Sequence, residues 1–108
     1  MYDIEIYRTA TNREPYTEWE TSLDRQIRAR IDARLARIRF TGNLGDFKSV
    51  HDGVFELRFD FGPGYRVYFG FDQMKSKLII LLTGGSKRHQ AQDIAKAKEY
   101  WRDHLSHE

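Results

Sequence analysis

Residues 54–72 read VFELRFDFGPGYRVYFGFD. Phe55, Leu57, Phe59 and Phe61 fall on odd numbers, as do Tyr65, Val67, Phe69 and Phe71 beyond the Gly62-Pro63-Gly64 break. Such alternation is the pattern of a strand with one apolar face, and the break reads as a hairpin turn. If both odd sets enter one core, the numbers of paired residues must sum to an even value. A loop at 62–64 then pairs Phe61 with Tyr65, Asp60 with Arg66 and Arg58 with Tyr68. The opposite face carries Glu56, Arg58, Asp60, Arg66 and Tyr68, and a slip by one residue would bury those charges.

Outward from this hairpin the other elements follow. Tyr2, Ile4 and Ile6 alternate with Asp3, Glu5 and Tyr7, which predicts a first strand. Thr11 and Asn12 are good N-cap residues and Pro15 suits a first helical turn, so a short helix begins near there with Tyr16, Trp19 and Leu23 on one face. A longer helix, roughly 24–40, buries Ile27, Ile31, Leu35 and Ile38 and ends at Gly42 and Gly45. The stretch 46–53 reads as a loop. Lys77–Thr83 makes an apolar last strand, closed by Gly84 and Gly85, and a helix over roughly 90–104 turns Ala91, Ile94, Ala97, Trp101 and Leu105 inward. The order β-α-α-β-β-β-α predicts an α+β fold: a small antiparallel sheet with two N-terminal helices and one C-terminal helix, in a single domain over 1–108.

Composition narrows the function classes. The chain has no cysteine, so disulfides, Cys-type zinc sites and thiol nucleophiles are excluded. An ordinary reducing compartment, the cytoplasm, is expected, because the acidic start MYDIEIYRT is unlike a signal or transit peptide. The longest apolar run, 78–82, is far too short to span a membrane. The net charge of +2 argues against a polycationic coat for nucleic acid. It hides a division, however: residues 1–24 hold two basic and six acidic side chains, whereas 25–39 hold six arginines and only Asp32. Those arginines are either the wet face of an amphipathic helix or a surface for an anionic partner. There is no phosphate-binding Walker loop, and His51, His89, His104 and His107 lack a metal-ligand spacing. The segment GGSK at 84–87 offers backbone amides to a phosphate, though weakly.

At Glu56-Leu57-Arg58, Gly64-Tyr65-Arg66 and the basic turn Ser86-Lys87-Arg88-His89 before the last helix, the sequence resembles the RelE/ParE toxin superfamily of bacterial type II toxin–antitoxin modules. Within it the chain is most similar to the addiction module killer protein branch, close to HigB-like and phage-derived Gp49-like proteins. The resemblance runs over nearly the whole chain. It implies a small cytoplasmic toxin held inactive by a cognate antitoxin, expected to be of the helix-turn-helix type. It also implies a target: mRNA on the ribosome, cut without a metal or other cofactor, or alternatively DNA gyrase, or no target at all in a member that only binds its antitoxin.

RNA cleavage of this kind needs a base for the ribose 2′-OH, an acid for the departing 5′-oxygen and cations for the phosphate. By resemblance Arg66 is the transition-state cation, Arg58 a second catalytic arginine, and Lys87 and Arg88 the phosphate contacts. Two positions depart from the family pattern. Glu56 stands near a position that is basic in RelE-like enzymes, and Ile94 falls near the catalytic tyrosine. His89 is the expected acid–base group instead, since an imidazole suits both roles, with Asp93 to orient it and Tyr68 to contact RNA. Arg66→Ala is then expected to abolish toxicity and leave folding intact. In the bland alternative Asp60 and Arg66 form only a cross-strand ion pair, and Lys87 and Arg88 merely border a loop.

Overall fold

The computed structural model describes residues 1–107. In chain order these form β1 (Asp3–Ile6), α1 (Pro15–Thr21), α2 (Arg25–Thr41), β2 (Phe47–Ser49), β3 (Phe55–Arg58), β4 (Tyr65–Phe71), β5 (Leu78–Ser86), a 3-10 turn (Lys87–His89) and α3 (Gln90–Ser106). The fold is α+β, as expected. Helix α2 is set by its ends: the Asp24 side chain accepts from the Gln26 amide, and Gly42, at φ 76°, closes the last turn by donating to Ile38. The first helix starts later than its cap residues suggest. Asn12 sits at φ 65° in a turn, and α1 opens on Pro15 with no side-chain cap.

The sheet has five strands in the order β1-β5-β4-β3-β2 and is mixed, which corrects the expected small antiparallel sheet. β2 to β5 run antiparallel, but β1 lies parallel to β5, with Asp3 opposite Leu78 and Ile6 opposite Leu81. Alternation records which face a strand buries and is silent on the direction of its neighbour. Strand β2 falls inside the expected loop, because Phe47-Lys48-Ser49 is short and exposed throughout and so shows no alternation. Among the described residues no helix is long and apolar enough to cross a membrane.

Both faces of the sheet are covered. On one, Tyr16, Ile31 and Ile38 from the first two helices pack against Leu57, Val67, Phe69, Ile79 and Leu81. On the other, Ala97 and Trp101 of α3 pack against Tyr68, Leu78, Ile80 and Leu82. The face expected to be polar is therefore the floor of a second core. Leu105, expected inside, is exposed, and His104, half-buried, stacks on Trp101.

The hairpin keeps its parity but not its register. Phe55 pairs with Phe69, Glu56 with Tyr68, Leu57 with Val67 and Arg58 with Arg66. The turn is longer than 62–64: the Phe59 amide donates to Tyr65, and Gly62 and Gly64 take positive φ at 59° and 79°. The expected pair of Asp60 with Arg66 is replaced by two arginines facing each other, a repulsive pairing unless a carboxylate lies between them.

A bulge interrupts the pairing of β4 with β5. Tyr68 pairs with Thr83 but Phe69 with Leu81, so Leu82 is the extra residue. Gly84 and Gly85 do not close the strand but continue it: a Cβ on Gly84 would strike the Trp19 ring, and one on Gly85 the Asp93 carboxylate. Gly70 plays the same part under α3, where an added Cβ would lie 2.5 Å from Trp101 Cζ3. Trp101 is fully buried and has nowhere to turn. Gly70→Ala is thus expected to cost about 1–3 kcal/mol by overpacking. Urea denaturation measures it, and an unchanged midpoint would mean that α3 yields freely.

Candidate functional site

Glu56 is the centre of the polar arrangement. It is 1% exposed, on the sheet face beneath the start of α3. Its Oε1 lies 3.5 Å from Arg66 Nε and 3.9 Å from Arg58 Nε, which answers the repulsion of those facing arginines. Its Oε2 accepts from Gln90 Nε2 at 2.6 Å and from the Tyr68 hydroxyl at 3.4 Å. A carboxylate from the sheet is thereby tied to the first residue of α3. Burial above all, then the negative charge of Glu56, pushes the Tyr68 phenol well above its ordinary pKa, so it remains a donor.

These contacts revise three expected roles. Arg66 is 7% exposed, donates through Nη1 to the Tyr65 carbonyl at 3.1 Å, and faces Glu56 rather than open solvent. Its charge is largely answered inside the protein. Tyr68 is fully buried, so the expectation that it touches RNA is corrected: the α3 core covers it and its hydroxyl supports Glu56. Arg58 is more open, its side chain 37% exposed, and it pairs with Asp46 at 3.7 Å. It lines a different cleft from His89.

His89 and Asp93 come together with groups that the sequence does not advertise. They line an open cleft of about 580 Å³, walled by Trp19 and Tyr65 and floored by Gly84 and Gly85. The two glycines are bare because helices approach on both sides, not because they cradle a phosphate. Lys87 and Arg88 lie exposed in the turn leading to the cleft, where the Lys87 amide donates to Gly64 at 2.8 Å. No side chain caps α3, so its first-turn amides add partial positive charge beside these cations. Among the described residues no group of three His, Cys, Asp or Glu side chains gathers to hold a metal ion. Trp19 carries no signal of its role in the sequence, since it reads as one more residue of a core stripe.

Asp93 has a cost that reveals its position. Burial raises its carboxyl above the ordinary value, and His89 only partly offsets this. The folded protein therefore binds that proton more tightly than the unfolded chain does. The ionised carboxylate opposes folding once pH rises through its unfolded value of about 3.9, and the cost is complete above the raised one. Asp93→Asn is expected to raise Tm at neutral pH, with the gain shrinking as the solution is acidified. A variant less stable than the parent at neutral pH would show instead that the carboxylate is held by favourable contacts.

No family model matches the sequence. An uncharacterized protein of Haemophilus influenzae is 46% identical over 96 residues, which make up 88% of this chain and 90% of that protein. Similarity on this scale spans a whole domain rather than a motif.

Proposed function

The chain belongs to the family of that Haemophilus influenzae protein, and from the cleft at the start of α3 we propose that it is the toxin of a bacterial type II toxin–antitoxin module that cuts mRNA on the ribosome. One observation carries this reading. His89 and Asp93 share an open cleft with two aromatic walls, Trp19 and Tyr65, next to the exposed cations Lys87 and Arg88. A splayed nucleotide asks for that combination: a ring to stack on, cations for its phosphate, and a group that can take a proton.

In the proposed reaction His89 takes the proton of the ribose 2′-OH. The freed oxygen attacks the adjacent phosphorus, and the bond to the 5′-oxygen breaks, leaving a 2′,3′-cyclic phosphate and a 5′-hydroxyl. Asp93, on the next turn of the helix, orients the imidazole and stabilises its charged form. Lys87 and Arg88 meet the phosphate charge, and Lys87 returns a proton to the leaving oxygen. Arg66 reaches the start of α3 through Glu56, which also holds Gln90. No step calls for a metal or cofactor. The module reading also brings a cytoplasmic location and a cognate antitoxin, of helix-turn-helix type, as partner.

A second reading has its own support. With Arg66 neutralised by Glu56, and Ile94 near the position of the family's catalytic tyrosine, the arginine and tyrosine chemistry of the RelE type is missing, and a non-nuclease that binds DNA gyrase fits such a surface. Induction of the chain without its antitoxin separates the two. Mapping of RNA 5′ ends should reveal cuts inside translated codons while protein synthesis stops. DNA damage with translation intact would replace the nuclease by the gyrase reading.

A further inference from the structure

A second cleft, of about 310 Å³, opens between α2 and the end of β3. Arg30, Arg34 and Arg37 of α2 converge there with Arg58, against only Asp46 and Asp60. The convergence is tight: Nη2 of Arg34 and Nη2 of Arg37 each lie 3.1 Å from the point a Cβ on Gly45 would occupy. Arg34 is locked in place by the carbonyls of Arg58, Leu44 and Asp46, the last two at 3.0 and 2.7 Å. Its Nε is buried with no hydrogen-bond partner. Arg30 lies over Phe61, its Cζ 3.7 Å from the ring centroid. Among the described residues none of Arg30, Arg34 and Arg37 forms a salt bridge.

Like charges gathered around one opening, with Arg34 fixed there by backbone carbonyls and, among the described residues, only Arg58 paired with carboxylates, form a site that an anion completes. Arginine forks suit the planar, multiple contacts of a phosphate. The aromatic faces in the cleft are already covered, Phe61 by Arg30 and Phe59 by Arg34 at 4.7 Å. What remains for a ligand is therefore charge and little apolar surface, which fits a nucleic-acid backbone better than a peptide that must bury side chains. We propose that this cleft is a phosphate-binding site that holds a phosphodiester of a single-stranded RNA chain. The choice of RNA rests on the function proposed above; the phosphate site itself does not.

The test uses inorganic phosphate and a single-stranded RNA oligonucleotide as separate probes. Phosphate should shift the arginine Nε–Hε NMR signals of the parent, Arg34 among them, and should not shift those of the Arg30→Gln/Arg37→Gln double variant. Both replaced residues are exposed, so the fold should stand, and an unchanged Tm checks this. RNA affinity, measured in a His89→Ala background so that the probe survives, should show a shallower salt dependence in the double variant. The log–log slope should fall by about 0.7 for each RNA phosphate that the variant no longer neutralises. Absence of the phosphate shifts would overturn the site; an unaltered slope, or preference for a glutamate-rich peptide, would overturn RNA as its occupant. If induction of the chain cuts no RNA while the phosphate shifts persist, the nuclease reading falls and the site stands.

Discussion

Glu56→Ala is expected to destabilise the protein by about 3–4 kcal/mol. The removed carboxylate answers two facing arginines, and Arg66, its side chain 9% exposed, cannot simply turn out to water. Loss of one partner of a buried ion pair typically costs about 3–5 kcal/mol. Separations of 3.5 and 3.9 Å are long for charge-assisted hydrogen bonds and pull the ion-pair part toward the lower end. The donors orphaned on Gln90 and Tyr68 add to the loss, each group by about 1–3 kcal/mol and not additively. Against a total stability of about 5–15 kcal/mol, such a loss leaves a marginal protein.

Removing both charges should behave differently. Glu56→Leu/Arg66→Met replaces the pair with apolar volume and is expected to recover the ion-pair part of the loss, leaving about 1–3 kcal/mol for the donors still orphaned on Gln90 and Tyr68. Denaturant melts of the two singles and the double close the cycle. A Glu56→Ala loss below about 1 kcal/mol would mean that water reaches Arg66 and the cluster is solvated. The same chemistry corrects the expectation that Arg66→Ala leaves folding intact, since it strands a buried carboxylate. Loss of toxicity in that variant reads stability together with function.

His89→Ala is the cleaner probe of the proposed chemistry. The side chain is exposed, so its loss should move stability by no more than about 0.5 kcal/mol. If it takes the 2′-OH proton, cleavage should slow by about 10²–10⁴-fold and the limb of the pH–rate profile that reports the base should vanish. Single-turnover cleavage of ribosome-bound mRNA over a range of pH reads both. Full toxicity and an unaltered pH profile in His89→Ala would remove it from the reaction.

The apolar skeleton is readable because alternation is a physical requirement of a half-buried strand. Phe55, Leu57, Val67 and Phe69 share a face whatever the register, so parity survives although Arg58 pairs with Arg66 and not with Tyr68. The cover over the other face is not readable. Glu56, Arg66 and Tyr68 have the composition of a wet surface, and a buried ion cluster leaves the same pattern in a sequence as a solvated one. Gln90 stands 34 positions from Glu56, beyond the reach of any local rule. Of the expected site, His89, Asp93, Lys87 and Arg88 remain near one opening, whereas Arg58 belongs to the arginine cleft. The bulge at Leu82 hides the role of Gly84 and Gly85 from a sequence reading: one inserted residue shifts faces without changing composition.

The parallel pairing of Asp3–Ile6 with Leu78–Leu81 has a consequence in time. A nascent chain emerges from its first residue onward, so β1 leaves the tunnel long before β5 exists. Strand β1 must wait, its edge unpaired, until β5 has been synthesised. Contacts this distant in sequence also make the closing step of folding slow. Turn Lys87–His89 and helix α3 follow β5 directly, so the sheet that carries them is completed only shortly before they are made. A protein directed against translation, as proposed here, would thus gain its working surface only after residues 87–106 have followed the strand that carries them.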